Sequence, residues 1–184
     1  MIVKINDLLY IYNNEILKGV KNRKKILAFE KYKMEYLVYI KYILENNLYI
    51  KSNYNIFLVK DPKVRVVMSE SIIDKVINHY VAKYILIPKL SKYLCKEITA
   101  TRKGMGLTYA IKLLLSNLEK LKHKGKNIYA LKIDIKKYFY SIDHNILKSL
   151  IINDLTSEEY NLVCKIIDST NYDYINDKID ILEK

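Results

Sequence analysis

The stretch Asn55-Ile-Phe-Leu-Val-Lys-Asp-Pro-Lys-Val-Arg-Val-Val-Met68 interrupts a chain that otherwise shows mostly helical spacing. Two β-branched runs, Ile56–Val59 and Val64–Val67, flank a central Lys-Asp-Pro-Lys sequence. Asp-Pro between two such runs is typical of a turn, so the stretch predicts a β-hairpin at residues 55–68 with a basic tip. A hairpin set among helices predicts the α+β class.

The sequence on either side of the hairpin predicts helices. Apolar residues recur at three- and four-residue steps from Ala28 to Asn47, where an Asn pair ends the pattern. Ser71 precedes the next apolar series and has an acidic residue, Asp74, three positions later, which is typical of a helix start. Pro88 is expected to end that helix. Helices are also predicted at residues 108–121, 146–152 and 160–167, whereas residues 171–184 are polar and only weakly patterned.

A second short stretch, Ile128–Ile135, alternates apolar and other residues in the manner of a β-strand. Asp134 lies on the face opposite its apolar residues, where a carboxylate would be costly to bury without a partner. Two interpretations stay open from the residues alone. Asp134 either serves chemistry or caps a following turn, in which case Phe139 belongs to the core and Asp143 caps the next helix.

Charge is unevenly distributed along the 184 residues, whose formal net charge is +12. Residues 1–127 hold 25 Lys and Arg against 10 Asp and Glu, whereas residues 128–184 hold 7 against 10. A genome rich in A and T would explain the preference for Lys over Arg, but it would not explain this asymmetry. A strongly basic block favours a polyanion partner, above all nucleic acid.

Composition excludes several other classes. The length fits one domain or one and a half, and the low Gly and Pro content argues against a disordered chain. Two cysteines cannot form a disulfide framework, and with three His they make a structural zinc site improbable. No apolar run is long enough for a membrane span, and no signal peptide opens the chain. The expectation is a soluble cytoplasmic protein without a membrane partner.

The pattern Asp-Ile-x-x-x-Phe-x-x-Ile-Asp-His at residues 134–144 resembles motif A of reverse transcriptases, the palm strand whose Asp holds catalytic metal ions. Three upstream blocks resemble that family in the same order. They are the fingers hairpin at 57–67, the helix that begins at 74–79, and the glycine-rich loop and helix at 102–110. The residues of these blocks are most similar to those of bacterial retroelement enzymes of the diversity-generating type, with retrons and group II introns more distant. The resemblance runs from about Phe29 onward.

The resemblance implies a role for each matching residue. Asp134 and the backbone carbonyl of Ile135 would bind Mg²⁺ (or Mn²⁺), which prefers oxygen ligands and acts in polymerases as a pair of ions about 4 Å apart. Lys63 and Arg65, which share one face of a strand, would hold the triphosphate of a dNTP. Phe139 would be the steric gate that rejects a ribose 2′-hydroxyl.

The glycine-rich loop would contact the template. Arg102, Lys103 and Gly104 would let charge and backbone approach a phosphate. Residues 1–127 would form basic fingers, and residues 128–184 would form the first strand and helices of an incomplete palm. The implied partners are an RNA template, a DNA primer and dNTP, with an accessory subunit or further palm and thumb segments.

The Tyr/Phe-x-Asp-Asp motif that supplies the remaining carboxylates in this family has no counterpart, since the sequence contains no Asp-Asp pair. The expectation is therefore a fragment of a polymerase that is inactive alone. Two other functions stay open: a non-catalytic nucleic-acid-binding module, and a phage-defence protein derived from a reverse transcriptase.

Overall fold

The computed structural model describes the chain apart from residues 61, 63, 123–126, 137, 171 and 184, and apart from the side chains at 140 and 183. The described residues are mostly helical and contain one two-stranded antiparallel sheet. The predicted α+β class and the predicted hairpin are thereby confirmed. In this part of the chain, no helix is both long enough and apolar enough to cross a membrane.

Helices precede and follow the hairpin along the chain. The strands are β1 (Asn55–Lys60) and β2 (Val64–Ser69). The α-helices are α1 (Ile5–Ile11), α2 (Leu17–Gly19), α3 (Arg23–Glu30), α4 (Lys33–Glu45), α5 (Ile72–Tyr80), α6 (Ile87–Leu90), α7 (Leu107–Lys122), α8 (His144–Ile151), α9 (Ser157–Asp168) and α10 (Asp173–Glu183). Turns of π-helix lie at Tyr12–Ile16 and Val81–Leu86, and 3-10 turns lie at Ser91–Tyr93, Tyr138–Tyr140 and Ile152–Asp154.

The chain forms two compact units. The first unit comprises Met1–Lys89 together with Asp143–Lys184, and the second unit comprises Leu90–Ile142. These units follow packing, whereas the division predicted at residue 127 follows charge.

The core of the first unit lies where α1 packs against α4 and α5. Each of these helices contributes two apolar side chains with no exposed surface. They are Leu8, Ile11, Leu37, Ile40, Val76 and Ile77. Removing a Leu or Ile side chain of this kind from water stabilises the folded state by roughly 1.5–3 kcal/mol. The core therefore fixes α5, the helix that directly follows the hairpin.

Two helix ends follow the sequence prediction. The Ser71 hydroxyl accepts a hydrogen bond from the backbone N–H of Asp74 at 3.0 Å, so Ser71 is the N-cap of α5. At the end of α4, Asn46 is the C-cap and Asn47 adopts a φ of 55°. Asn tolerates this left-handed conformation better than most residues, which explains why the Asn pair ends the helix.

The hairpin register divides its side chains between two faces. Asn55 pairs with Ser69, Phe57 with Val67, and Val59 with Arg65, so these six residues share one face, here called the open face. Phe57, Val59 and Arg65 are exposed. The intervening residue of β1, Ile56, is buried. Strand β1 packs against α10, whose Ile175 is buried as well.

The strand predicted at Ile128–Ile135 is wrong: these residues adopt no regular secondary structure. Their apolar side chains are exposed, with Leu131 at 87% and Ile133 at 82%. A strand needs a neighbour for its backbone N–H and C=O groups, and no described segment pairs with this one. Alternation alone therefore does not form a strand here.

Three helical predictions also needed correction. The helix expected from Ala28 to Asn47 is divided between α3 and α4. The helix expected to end at Pro88 continues past this residue through α6. A turn of π-helix, in which the hydrogen bonds are spaced differently, lies directly before α6 and its proline. Residues 171–184 include α10, because apolar residues at 175, 179 and 182 recur at helical spacing and Ile175 fills the core.

Candidate functional site

The open face of the hairpin presents a cation to solvent. Arg65 is exposed and lies opposite Val59, two residues along the strands from the pair Phe57 and Val67. Residues that share a face two positions apart are separated by roughly 6–7 Å along a strand. The face thus places an exposed guanidinium beside an exposed aromatic ring. Lys63, the other residue assigned to the triphosphate, lies outside the described residues.

A buried polar cluster supports the start of the hairpin and of α5. The carboxylate of Asp74, which is 2% exposed, accepts hydrogen bonds from the hydroxyls of Tyr49 at 2.8 Å, Ser71 at 2.6 Å and Ser52. Lys51, whose side chain is 3% exposed, lies 3.7 Å from the same carboxylate. Burial, together with the adjacent Asp74 charge, raises the pKa of Tyr49 well above its ordinary value, so Tyr49 remains a neutral donor.

The same cluster also contacts Glu70, the residue directly after β2. The ammonium of Lys51 lies 2.5 Å from its carboxylate, and the side-chain amide of Asn78 donates to it at 2.7 Å. The sequence indicated Asp74 only as part of a helix cap. Its wider role was missed because Tyr49 and Ser52 are 25 and 22 positions away along the chain.

The glycine-rich loop of the second unit is held by Arg102. Its guanidinium donates to the backbone carbonyls of Cys95 at 2.8 Å and Ile98 at 3.2 Å. The backbone N–H of Met105 donates back to the carbonyl of Arg102 at 3.0 Å, which closes a turn. Gly104 has a φ of 78° inside that turn, a conformation that favours glycine.

These contacts give Arg102 a loop-organising role within the protein. The neighbouring Lys103 is exposed. The loop therefore presents the exposed side chain of Lys103 at a turn whose backbone is held by Arg102. Template binding by Arg102, Lys103 and Gly104 stays a prediction.

The residues assigned to chemistry lie in an exposed segment of the second unit. Asp134 is exposed, and so is Ile135. Phe139 is 83% exposed and therefore does not belong to a core. Its ring makes an edge-to-face contact with Tyr138, with a centroid separation of 5.2 Å. The alternative that Phe139 is a core residue is therefore wrong.

Asp143 has the structural role that was one of the open interpretations. Its carboxylate accepts hydrogen bonds from the backbone N–H groups of Asn145 at 2.7 Å and Ile146 at 3.0 Å, so it is the N-cap of α8. This contrast distinguishes the two acidic residues of the motif. Asp143 is used by the local fold, whereas the described residues show no helix capped by Asp134.

The ligands available at Asp134 and Ile135 are of a type that binds Mg²⁺, but their number is too small. A carboxylate and a backbone carbonyl are oxygen ligands of the type that Mg²⁺ prefers. Throughout the described part of the chain, no three His, Cys, Asp or Glu side chains come together in a group that could hold a metal ion. Asp134 and Ile135 alone are too few for a two-ion centre.

A small charged cluster lies on the first unit. The carboxylate of Glu15 lies 2.8 Å from the ring of His79 and 2.5 Å from the ammonium of Lys83. Burial acts to raise the pKa of Glu15, but the hydrogen bonds from Lys83 and His79 outweigh it and hold this pKa below its ordinary value. The cluster ties the π-turn after α1 to α5 and the π-turn that follows it.

Arg65 belongs to the first unit, whereas Arg102, Asp134 and Phe139 belong to the second. The predicted site residues are therefore divided between two separately packed parts of the chain. Comparison with known proteins adds no assignment: no protein-family description and no curated protein matches this sequence.

Proposed function

We propose that this chain is the fingers and first palm segment of a bacterial RNA-directed DNA polymerase. The observation that carries the proposal is the order of four sequence blocks: the hairpin with Arg65, the helix capped by Ser71, the glycine loop at Arg102, and the Asp134–Phe139 motif. Any one of these blocks is common. Their occurrence in this order, at spacings that resemble the family, is specific.

Local geometry of the first unit supports this proposal. A polymerase needs a cation that can approach the triphosphate, and Arg65 stands exposed on the open face of a hairpin supported by α5. A guanidinium matches phosphate oxygens with two parallel hydrogen bonds. In the proposal, Arg65 binds and orients the incoming nucleotide.

The exposed residues of the second unit take the remaining roles. The flat ring of Phe139 would lie against the sugar and exclude a 2′-hydroxyl, and Lys103 would hold a template phosphate. Asp134 and the Ile135 carbonyl would ligate Mg²⁺, which supplies charge stabilisation for phosphoryl transfer when bound. The further carboxylates would come from another segment or chain, because this sequence has no Asp-Asp pair.

Binding to a template–primer tests the proposal on the chain itself. A fluorescent DNA primer annealed to a longer RNA template should bind with strong salt dependence, and added dNTP should tighten the complex. Arg65→Gln should remove the effect of dNTP, because the guanidinium that contacts the triphosphate is lost. Lys4→Gln removes an equal charge from an exposed position just before α1 and should retain the effect of dNTP.

A dNTP effect that survives Arg65→Gln unchanged would contradict the assignment of the hairpin. Equal stabilisation by dNTP and rNTP in both the parent chain and Phe139→Ala would contradict the assignment of the steric gate. The predicted result is a preference for dNTP in the parent chain that Phe139→Ala abolishes.

A second candidate, a non-catalytic nucleic-acid-binding module, is favoured by the absence of a metal-holding group among the described residues. It predicts RNA binding that is insensitive to dNTP and to Asp134→Asn. The template–primer experiment therefore separates the two functions.

A further inference from the structure

A groove lies at the base of the hairpin in the first unit. It consists of two adjoining cavities of about 350 Å³ and 330 Å³. Both are lined by Lys25 of α3, by the paired residues Asn55 and Ser69 of the hairpin, and by Glu70 and Ile72 at the start of α5. This feature is called the root groove below.

Aromatic rings line both cavities of the root groove. Phe29 and Tyr36 line the first cavity, stacked on each other with a centroid separation of 5.0 Å. Phe57 lines the second cavity from the open face of the hairpin and is 39% exposed. An aromatic face that reaches solvent beside Asn and Ser side chains offers both a stacking surface and hydrogen-bonding groups.

Cations surround the same groove. The second cavity is lined by Lys21, Lys25 of α3 and Lys75 of α5. Lys21 and Lys25 belong to a basic stretch of exposed residues that also contains Lys18, Arg23 and Lys24. Among the described residues, none of these side chains forms an ion pair with a carboxylate.

The acidic residue in the groove does not cancel this charge. Glu70 shares the ammonium of Lys51 with Asp74, so the cluster keeps one net negative charge, whereas three lysines, Lys21, Lys25 and Lys75, line the groove. The lysines that line the groove are thus left with net positive charge facing an aromatic surface. Phosphates joined to flat bases complement that combination, whereas a purely anionic ligand would leave the exposed Phe57 ring unused.

The open face extends the groove toward Arg65. Asn55 and Phe57 line the groove, and Arg65 lies on the same face of the sheet. A polymer that enters the groove can continue along this face toward Arg65. The geometry therefore favours an extended strand over a single nucleotide.

We infer that the root groove binds a single-stranded nucleic acid. One base stacks on Phe57, the phosphates contact Lys21, Lys25 and Lys75, and the strand continues across the open face toward Arg65. A base-paired duplex keeps its base faces stacked internally, so it cannot use Phe57 in this way. The inference deepens the proposed function and rests on it for the meaning of the strand as template, but the binding itself requires no catalysis.

Equilibrium binding of short fluorescent oligonucleotides to the 184-residue chain tests the inference. The probes are a 12-residue oligouridylate, a 12-residue oligodeoxyuridylate and a blunt RNA duplex, each measured over a range of salt concentrations. The two single strands share bases, phosphates and length, and their comparison distinguishes RNA from DNA as the strand. Circular dichroism spectra of each variant check that the helices are retained.

Phe57→Leu should weaken single-strand binding about tenfold, because stacking of a base on an aromatic ring is lost. Phe57→Trp should retain binding, since it keeps the stacking surface. The duplex affinity should be the same for all three proteins. Equal single-strand affinity in Phe57→Leu and the parent chain would overturn the inference.

The cations are tested with a charge-matched pair of variants. Lys21→Gln with Lys75→Gln should lower the dependence of binding on salt, reducing the slope of log K against log salt by about 1.4. Lys4→Gln with Lys178→Gln removes the same charge from exposed positions outside the groove and should leave the slope unchanged. Equal slopes in the two double variants would overturn the inference.

The outcomes for this site and for the proposed function are separable. If dNTP has no effect on the parent chain but the oligonucleotides bind as predicted, the polymerase assignment is removed and the groove remains. Failure of the parent chain to bind either single strand more tightly than the duplex would remove the groove as proposed. It would leave the test of Arg65 with dNTP unaffected.

Discussion

Substitution of Asp74 by Asn tests the polar cluster that supports the hairpin and α5. The change preserves shape and removes one charge. In the folded protein the carboxylate accepts from the hydroxyls of Tyr49, Ser52 and Ser71 and lies 3.7 Å from the ammonium of Lys51. An amide has only one acceptor oxygen, so at least one hydroxyl would face an NH₂ group.

The expected loss of stability follows from these contacts. A hydrogen bond to a charged group contributes about 1.5–3 kcal/mol, and a buried donor left without an acceptor costs about 1–3 kcal/mol. Lys51 keeps its contact with Glu70, so the ammonium is not left unpaired. We therefore expect Asp74→Asn to lower the free energy of unfolding by about 3 kcal/mol, at the lower end of the range for a buried charge that loses its partner.

Urea denaturation followed by circular dichroism measures this quantity. Asp168→Asn is the matched control, because Asp168 pairs with Lys148 at 2.5 Å but is 51% exposed. An exposed pair contributes about 0–1 kcal/mol, so the control should change stability little. If Asp74→Asn destabilises no more than Asp168→Asn, the cluster does not stabilise the fold as argued.

Three further substitutions give distinct readouts. Gly104→Ala should destabilise the second unit by about 1 kcal/mol, because Gly104 has a φ of 78°, which a residue with a side chain rarely adopts, although a Cβ there would meet no atom within 4 Å. Urea denaturation measures this change, and an unchanged midpoint would contradict the turn geometry. Asp143→Ala should cost about 1 kcal/mol through loss of the α8 cap, while Asp143→Asn should cost far less; equal effects would refute the cap. Glu15→Gln should lower Tm at pH 7 by removing the contacts to His79 and Lys83. Because the pKa of Glu15 is lowered in the folded state, its stabilising contribution is complete above the unfolded value of about 4.3 and is lost as pH falls through the lower folded pKa; a Tm difference that does not shrink as the pH falls below 4.3 would contradict this assignment.

The elements that the sequence predicted well are those specified by nearby residues. The hairpin depends on two short runs and the turn between them, and the start of α5 depends on Ser71 and Asp74, three positions apart. Asn47 ends α4 through its own backbone conformation. In each case the decisive interaction lies within a few residues, so a pattern in the sequence suffices.

The elements that were missed depend on distant partners. The predicted strand at Ile128–Ile135 lacks a neighbour among the described residues, and α10 is fixed by its packing against β1, which lies more than 100 positions earlier. The contacts of Asp74 with Tyr49 and Ser52 likewise join separated segments. Periodicity carries no information on such pairings.

The candidate site shows the same division. The exposure of Arg65 and the capping role of Asp143 follow from local structure. The root groove could not be predicted, because it combines residues of α3, the hairpin and α5. Arg102 was assigned to the template on its charge, whereas its guanidinium in the folded chain donates to two carbonyls of its own loop.

Primer extension with and without Asp134 tests the central claim most directly. The gene product, purified from its own cells with any segment or subunit that supplies the further carboxylates, would be given an RNA template, a DNA primer, dNTPs and Mg²⁺, beside its variants Asp134→Asn and Asp143→Asn and beside the 184-residue chain alone. The account predicts extension by the native enzyme and by Asp143→Asn, and only background extension by Asp134→Asn and by the 184-residue chain alone. Extension that persists in Asp134→Asn, robust extension by the 184-residue chain alone, or no extension by the native enzyme would contradict it.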